Sequence, residues 1–369
     1  MRKTLLMIGL TAIFVVVLDI MVAATLSWAS NNGKLQSLVQ YFEFGRSVPG
    51  KLTQWEENPG RPGNLYDVAW RSQSVMHSQQ AFKEEKAAQG PVVRSYGMSF
   101  VNNIMRHAVD IKNEIKWDAH AGPGAPPNYT FALFQDDHNA RRLGDIAVFG
   151  ILSSSVSSMA ALSNSTWAFE QPAPFTYPIF WPEAAGLRRV EPAINSAAEL
   201  RGLTDEDRQI WEAQLRQEDF FFGAHTFGLT WLDYSPFARL VRRALATSRI
   251  EQTEAEILAG DYPYEQVLRL MVGEFARAAR ADGQIPVVML IQSRSPTDPN
   301  VLQIVKPVLD SDSIPYLATA EHFDPRDASG FLSDGHYAAR VDRLFAKHFL
   351  YVLEKAQAID FNHFTSGSE

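Results

Sequence analysis

The strongest constraint on this chain lies at its start. Arg2 and Lys3 precede an apolar run from Leu5 to Leu26 that only Gly9, Thr11, Asp19 and Thr25 interrupt. At about 1.5 Å of helical rise per residue, a run of this length matches the roughly 30 Å hydrocarbon core of a bilayer. A secretory signal carries a shorter apolar region, about 7–15 residues. Residues 1–29 are therefore read as an uncleaved signal anchor. The basic flank stays inside, which puts the rest of the chain on the periplasmic or extracytoplasmic side. The competing reading is a signal cleaved at Ser27-Trp28-Ala29, and it exports the same remainder. Asp19 is costly in lipid and calls for a partner, either in a helix bundle or on another membrane protein.

The rest of the chain has a globular composition. At about 150 residues per domain, 369 residues make two domains or one decorated domain. Asp and Glu number 42 against 34 Lys and Arg, a formal net charge of −8, and there is no basic stripe to hold phosphates. General nucleic-acid binding is thereby disfavoured. The absence of cysteine excludes disulfides, Cys-ligated zinc, iron–sulfur clusters and thiol catalysis. Phosphate loops, zinc-helix motifs, nucleophile elbows and dinucleotide fingerprints are missing from the sequence as well. No cofactor and no metal are expected.

Residues 30–90 are polar and turn-rich, with a helix expected around Trp70–Gln89, and read as a stalk packing on the domain. From residue 91 the pattern alternates. Val92–Tyr96, Asp145–Leu152, Ile285–Gln292 and Pro315–Thr319 read as strands. Phe100–Asn113, Tyr129–Arg142, Tyr264–Asp282, Asn300–Asp310 and Tyr337–Lys355 read as helices. Apolar strands alternating with helices predict a parallel sheet covered on both faces, an α/β domain over residues 91–360. An aromatic- and proline-rich insertion occupies about 153–262, with a helix start at Thr204-Asp205-Glu206-Asp207. Residues 361–369 read as a flexible tail.

Ligands of such sheets bind beyond the carboxyl ends of the strands. Gly97-Met98-Ser99 follows the first strand, where a serine opening a helix can offer a hydroxyl beside free backbone N–H groups. A further strand is expected just before Gly122-Pro123-Gly124, Gly150 to Ser153 closes the strand Asp145–Leu152, and Ser333-Asp334-Gly335-His336 precedes the last helix. A serine early and an Asp and a His late make a nucleophile, base and orienter set. Each residue also has a plainer role. Ser99 can cap the helix from Phe100, Asp334 can cap the last helix, and Gly124 and Gly150 can be turn glycines. Asp136-Asp137-His138 reads as a solvated face rather than a metal site, because adjacent residues point apart on a helix. His225 and the aromatics of the insertion read chiefly as packing.

These motifs resemble the SGNH/GDSL hydrolase superfamily over roughly residues 91–152 and 264–355. The resemblance implies a flavodoxin-like three-layer α/β/α sandwich and an acyl-enzyme mechanism. Ser99 would be the nucleophile, His336 the general base and Asp334 its orienter, with Asp324 and Asp327 as substitutes. The N–H groups of Ser99 and Gly124 and a group near Gly150 would form the oxyanion hole. Three positions depart from the family pattern. Met98 replaces the signature Asp, the Asp-to-His spacing is shortened, and no Asn follows Gly150, so that Ser153 or Ser154 must serve. The implied function is an exported serine esterase or O-acyltransferase acting on an ester-bearing small molecule or an envelope or extracellular polysaccharide. The alternative is a catalytically degenerate binding or scaffold subunit of a membrane or polysaccharide-export assembly.

Overall fold

A computed structural model describes residues 2–43, 46–84 and 91–356. The expected tail at 361–369, and the last residues of the helix expected to reach Gln89, lie outside the described residues.

Five parallel strands form the central sheet: β1 (Val92–Gly97), β2 (Lys116–Ala121), β3 (Ile146–Leu152), β6 (Ile285–Ile291) and β7 (Tyr316–Ala318), in the order β2-β1-β3-β6-β7. A separate antiparallel hairpin pairs β4 (Ile179–Glu183) with β5 (Gly186–Val190). Pro182 and the Arg188-Arg189 pair hide its alternation, so hydrophobic periodicity does not reveal this hairpin. β1 and β3 are buried along their whole length and β6 nearly so, as the apolar runs IAVFGIL and IPVVMLI require of strands covered on both faces. The chain enters the sheet at β1, one strand in from the edge, steps out to the edge strand β2, returns past β1 to β3 and continues to β7. The order reverses between β1 and β3, and in sheets of this kind ligands bind at the carboxyl ends of the strands beside such a reversal.

Helices Ser99–Ile111 and Ala339–Lys355 pack together on one face, and helices Pro127–Asp136, Tyr264–Ala281 and Val301–Ser311 cover the other. The result is a three-layer α/β fold. The helix expected at Tyr129–Arg142 instead begins at Pro127, a favoured first helical residue, and ends at Asp136. Asp137 is drawn inward to accept a 2.7 Å hydrogen bond from the Tyr96 hydroxyl. Asp136 pairs with Arg71 at 2.6 Å and with Arg189 at 2.8 Å. Both corrections have one cause: the two carboxylates are partnered by distant residues, so this stretch is an ion-pair node and not a solvated face.

The segment 30–90 contributes Trp55, Tyr66 and Trp70 to the main core. Its helix begins at Arg71, one residue after the buried Trp70, and Ser74 Oγ lies 3.2 Å from His120 Nδ1 on the edge strand β2. The insertion is equally integral. Phe175, Tyr177, Ile179 and Phe180 are buried in the same core, while Thr204 and Asp207 form a reciprocal cap on helix Asp205–Glu218. His225 is exposed, contrary to the packing role expected of it.

The N-terminal helix runs from Arg2 to Asn31, and residues 3–31 are long and apolar enough to cross a membrane, with a mean hydropathy of 2.7 over their most apolar 18-residue window. Its far end is joined to the domain: Ala29 is fully buried. The partner sought for Asp19 lies within the chain itself. Its Oδ1 accepts hydrogen bonds from Ser235 Oγ at 2.6 Å and from the Phe237 N–H at 2.9 Å.

Two glycines decide how the helix Ser99–Ile111 meets the sheet. A Cβ on Gly97 would stand 2.8 Å from Val101 Cγ2, and one on Gly150 would stand 2.5 Å from the same methyl and 3.2 Å from the Tyr96 carbonyl oxygen. Gly150→Ala is expected to lower stability by about 1–3 kcal/mol through overpacking. Adding Val101→Ala should recover part of that loss in a double-mutant cycle followed by urea unfolding. Additive losses would show that the methyl is not the obstacle.

Asp342, in the first turn of the closing helix, is buried with no hydrogen-bond partner on Oδ1 among the described residues. Burial pushes its carboxyl up to about 7, against the pull of Arg106. The unfolded chain loses this proton near pH 4 while the folded chain keeps it, so stability should fall from pH 4 to 7. Asp342→Asn should remove that slope, and its melting temperature relative to wild type should rise across the window. A constant offset would contradict the assignment.

Candidate active site

The carboxyl end of the sheet holds Ser99 and His336, two of the residues singled out in the sequence. β1 ends at Gly97, Met98 is the extended helix N-cap, and Ser99 is the first helical residue. Ser99 therefore does not cap the helix. Its Oγ lies 2.7 Å from Nε2 of His336, a residue 237 positions later in the chain. The first N–H groups of any helix have no intrahelical partner, and those of this one start beside the hydroxyl.

His336 sits in the loop before the closing helix. Phe331 and Tyr337 pair across the loop as an isolated bridge, and the Leu332 N–H donates to the His336 carbonyl at 2.7 Å. The Tyr337 hydroxyl is bonded to the Gln292 carbonyl and lies 3.1 Å from Thr319 Oγ1, so the loop is tied to the ends of β6 and β7. The imidazole stacks on Phe100, with centroids 4.7 Å apart and planes 26° from parallel. The residue after the serine thus orients the histidine that faces it.

Asp334 Oδ2 lies 3.2 Å from His336 Nδ1, and Asp334 Oδ1 accepts from the His336 N–H at 3.1 Å. Gly335 at φ +88° makes this possible by folding the carboxylate back over a two-residue spacing. The His336 N–H, more than any other group, holds the Asp334 carboxyl below the usual carboxylate range. An Nδ1–H donated to Asp334 leaves Nε2 free to accept a hydrogen bond from the Ser99 hydroxyl. Asp334 is 64% exposed, so water screens its charge and its main effect is orientation. The substitutes do not reach the histidine: Asp324 bonds to Arg326, and Asp327 caps the turn Ala328–Gly330.

The remaining oxyanion candidates sit differently. Gly124 lies in the turn after β2, at φ +56°, with Trp167 below its Cα. Gly150 stands inside β3, paired in register with Met289, and its missing side chain admits Val101. That is a packing role, and the turn expected there begins only after Leu152. Ser153 follows β3, but its Oγ accepts from the Ser293 N–H at 2.8 Å and donates to Ser293 Oγ at 3.0 Å, bridging the ends of β3 and β6. Ser154 beside it is exposed.

A second Ser–His–Asp chain lies at the sheet edge. Ser74 Oγ meets His120 Nδ1 at 3.2 Å, and His120 Nε2 meets Asp118 Oδ2 at 3.0 Å. Asp118 and His120 are two apart on β2 and so share a face, which is the signal the sequence carried. The surroundings give this chain a structural role. His120 is buried and stacked on Tyr96 at 5.2 Å, and Asp118 is also bonded to the fully buried Arg94. Arg94 in turn reaches Asp145 at 3.3 Å. The set neutralises a buried guanidinium and fastens helix Arg71–Glu84 to the sheet edge.

No protein-family model matches the chain, and a comparison with curated proteins finds no match.

Proposed function

We propose that this chain is an exported, membrane-anchored serine hydrolase acting on ester bonds, of the kind found in the SGNH/GDSL superfamily. The observation that carries the reading is the 2.7 Å contact between Ser99 Oγ and His336 Nε2, with Asp334 at Nδ1. The sheet order, which numbered within the sheet alone is 2-1-3-4-5, supports the flavodoxin-like form of the fold.

In this mechanism Ser99 Oγ attacks the ester carbonyl carbon while Nε2 of His336 takes the hydroxyl proton. The oxyanion is met by backbone N–H groups at the start of helix Ser99–Ile111, Ser99's own among them, and by Gly124. Collapse of the tetrahedral intermediate breaks the carbonyl–alkoxy bond, and His336 returns its proton to the departing alcohol. Water, or an acceptor hydroxyl, then attacks the acyl-serine with His336 again as base. His336 is 29% exposed and Asp334 is 64% exposed, so the site lies open to solvent. That openness favours hydrolysis over transfer. It also favours an acyl group carried on a large acceptor, such as an envelope or extracellular polysaccharide, over a small engulfed molecule. The positively flanked apolar helix supports anchoring with the domain on the extracytoplasmic side.

A binding or scaffold subunit on the same fold is the second reading. The engagement of Ser153 with Ser293 favours it, because it withdraws the hydroxyl expected to help hold the oxyanion.

The full chain in detergent should be labelled by a fluorophosphonate probe and should hydrolyse p-nitrophenyl acetate. Both activities should vanish in Ser99→Ala and in His336→Ala, and both should survive in Ser74→Ala. A folded wild type that neither labels nor turns over would favour the binding subunit. Loss in Ser74→Ala with retention in Ser99→Ala would move the active site to β2.

Asp334→Asn should lower kcat only about tenfold, since an exposed carboxylate contributes on the order of 1 kcal/mol. Gly335→Ala forces a side chain into left-handed backbone at a strain of about 1–2 kcal/mol and should lower kcat further by displacing the histidine. Steady-state kinetics beside circular dichroism checks both. A loss in Asp334→Asn as deep as in His336→Ala would contradict the orienting role.

A further inference from the structure

A group of exposed apolar side chains lies where the N-terminal helix meets the domain. Leu229 is 61% exposed, Trp231 69% and Tyr234 81%. Val241 and Leu245, four residues apart on helix Pro236–Glu256, are also exposed. Single exposed apolar residues are ordinary, whereas a cluster with aromatics marks a contact surface.

The backbone here is built rather than loose. Leu229 is held at φ +55°, a left-handed conformation that a leucine adopts only under constraint. Arg242 donates to its carbonyl at 2.9 Å and pairs with the buried Asp233. Asp233 also accepts from the Ser47 N–H at 2.8 Å and from Ser47 Oγ at 3.0 Å. This buried network projects the apolar side chains outward from below.

The depth of the group follows from Asp19. Along the helix, Asp19 lies about 24 Å above Lys3 at 1.5 Å per residue, short of the roughly 30 Å of a hydrocarbon core. Its carboxylate is nonetheless satisfied, by Ser235 and the Phe237 N–H at the start of the 21-residue helix Pro236–Glu256. A carboxylate at a helix N-terminus is favoured by the helix dipole. If residues from Lys3 upward span the bilayer, the segment bonded to Asp19 lies at the outer boundary of the hydrocarbon. Trp and Tyr prefer that boundary. The exposed Arg46, whose guanidinium lies 5.9 Å from the Tyr234 ring centroid, stands where lipid phosphates would be.

We propose that Leu229, Trp231 and Tyr234, with Val241 and Leu245, form a shelf that sinks into the outer-leaflet interface of a phospholipid bilayer and seats the domain on the membrane. The proposal rests on the anchoring reading above. The domain is then clamped at one height and tilt, and Asp19 is the clamp inside the lipid.

Because the chain has no cysteine, single-cysteine variants report one position each. The full chain, reconstituted in phosphatidylcholine–phosphatidylglycerol nanodiscs, would carry a nitroxide at Trp231→Cys or Tyr234→Cys. Leu10→Cys serves as the span control and Leu143→Cys, in the loop before β3, as the water control. The ratio of oxygen to nickel-chelate collision rates at 231 and 234 should exceed that at 143 several-fold and approach that at 10. If 10 lies in lipid while 231 and 234 match 143, the shelf is refuted and the anchor stands. If 10 itself lies in water, the anchor fails and the shelf with it. Low collision rates with both relaxers at 231 and 234 would mean a protein partner covers the surface, which also overturns the proposal.

Discussion

The fold turns on one tight contact. A methyl of Val101 occupies the space that side chains on Gly97 and Gly150 would take. With both positions bare, the helix Ser99–Ile111 starts two residues after β1 and lies down across β1 and β3 at their carboxyl ends. The point where the strand order reverses thereby receives a helix N-terminus, with its unpaired N–H groups and a serine as its first residue. A bulkier residue at either glycine would push the helix away from the sheet and carry Ser99 with it.

The histidine reaches that serine from the far end of the chain by a series of local bonds. Tyr337 ties the loop to β6 and β7, the bridge between Phe331 and Tyr337 closes it, and Phe100 supports the imidazole from beneath. Charge has a different place in the molecule. Arg94 is held by Asp118 and Asp145 near the opposite ends of the strands, where its burial joins β1, β2 and the approach to β3. A buried cation needs such partners wherever it stands, and here they double as strand connectors.

Several elements were legible in the residues. The apolar runs of β3 and β6, the amphipathic helices Tyr264–Ala281 and Ala339–Lys355, and the cap at Thr204–Asp207 follow from periodicity and local hydrogen bonding, which depend on neighbours in sequence. Those legible less well were set by distant partners. Helix Pro127–Asp136 stops early where Arg71 and Arg189 hold its last carboxylate, Asp136, and the Tyr96 hydroxyl holds the following one, Asp137. The polar segment 30–90 joins the core because Trp55 and Trp70, spaced among polar residues, find their apolar neighbours elsewhere in the chain. Gly150 reads as a turn glycine on its own, and its use as a gap for Val101 exists only in three dimensions.

By itself the sequence determined the apolar N-terminal helix, the alternation that yields a parallel sheet, and the residue types needed for a nucleophile, a base and an orienter. These are matters of hydropathy, period and chemistry carried by short stretches of chain. Tertiary structure decided which of those residues meet. It brought Ser99 and His336 together across 237 positions and kept Asp324 and Asp327 away. Ser153 it used as a brace, and Asp19 it paired with Ser235. Each outcome depends on the distance between groups far apart in sequence, and only the packing of the layers sets that distance.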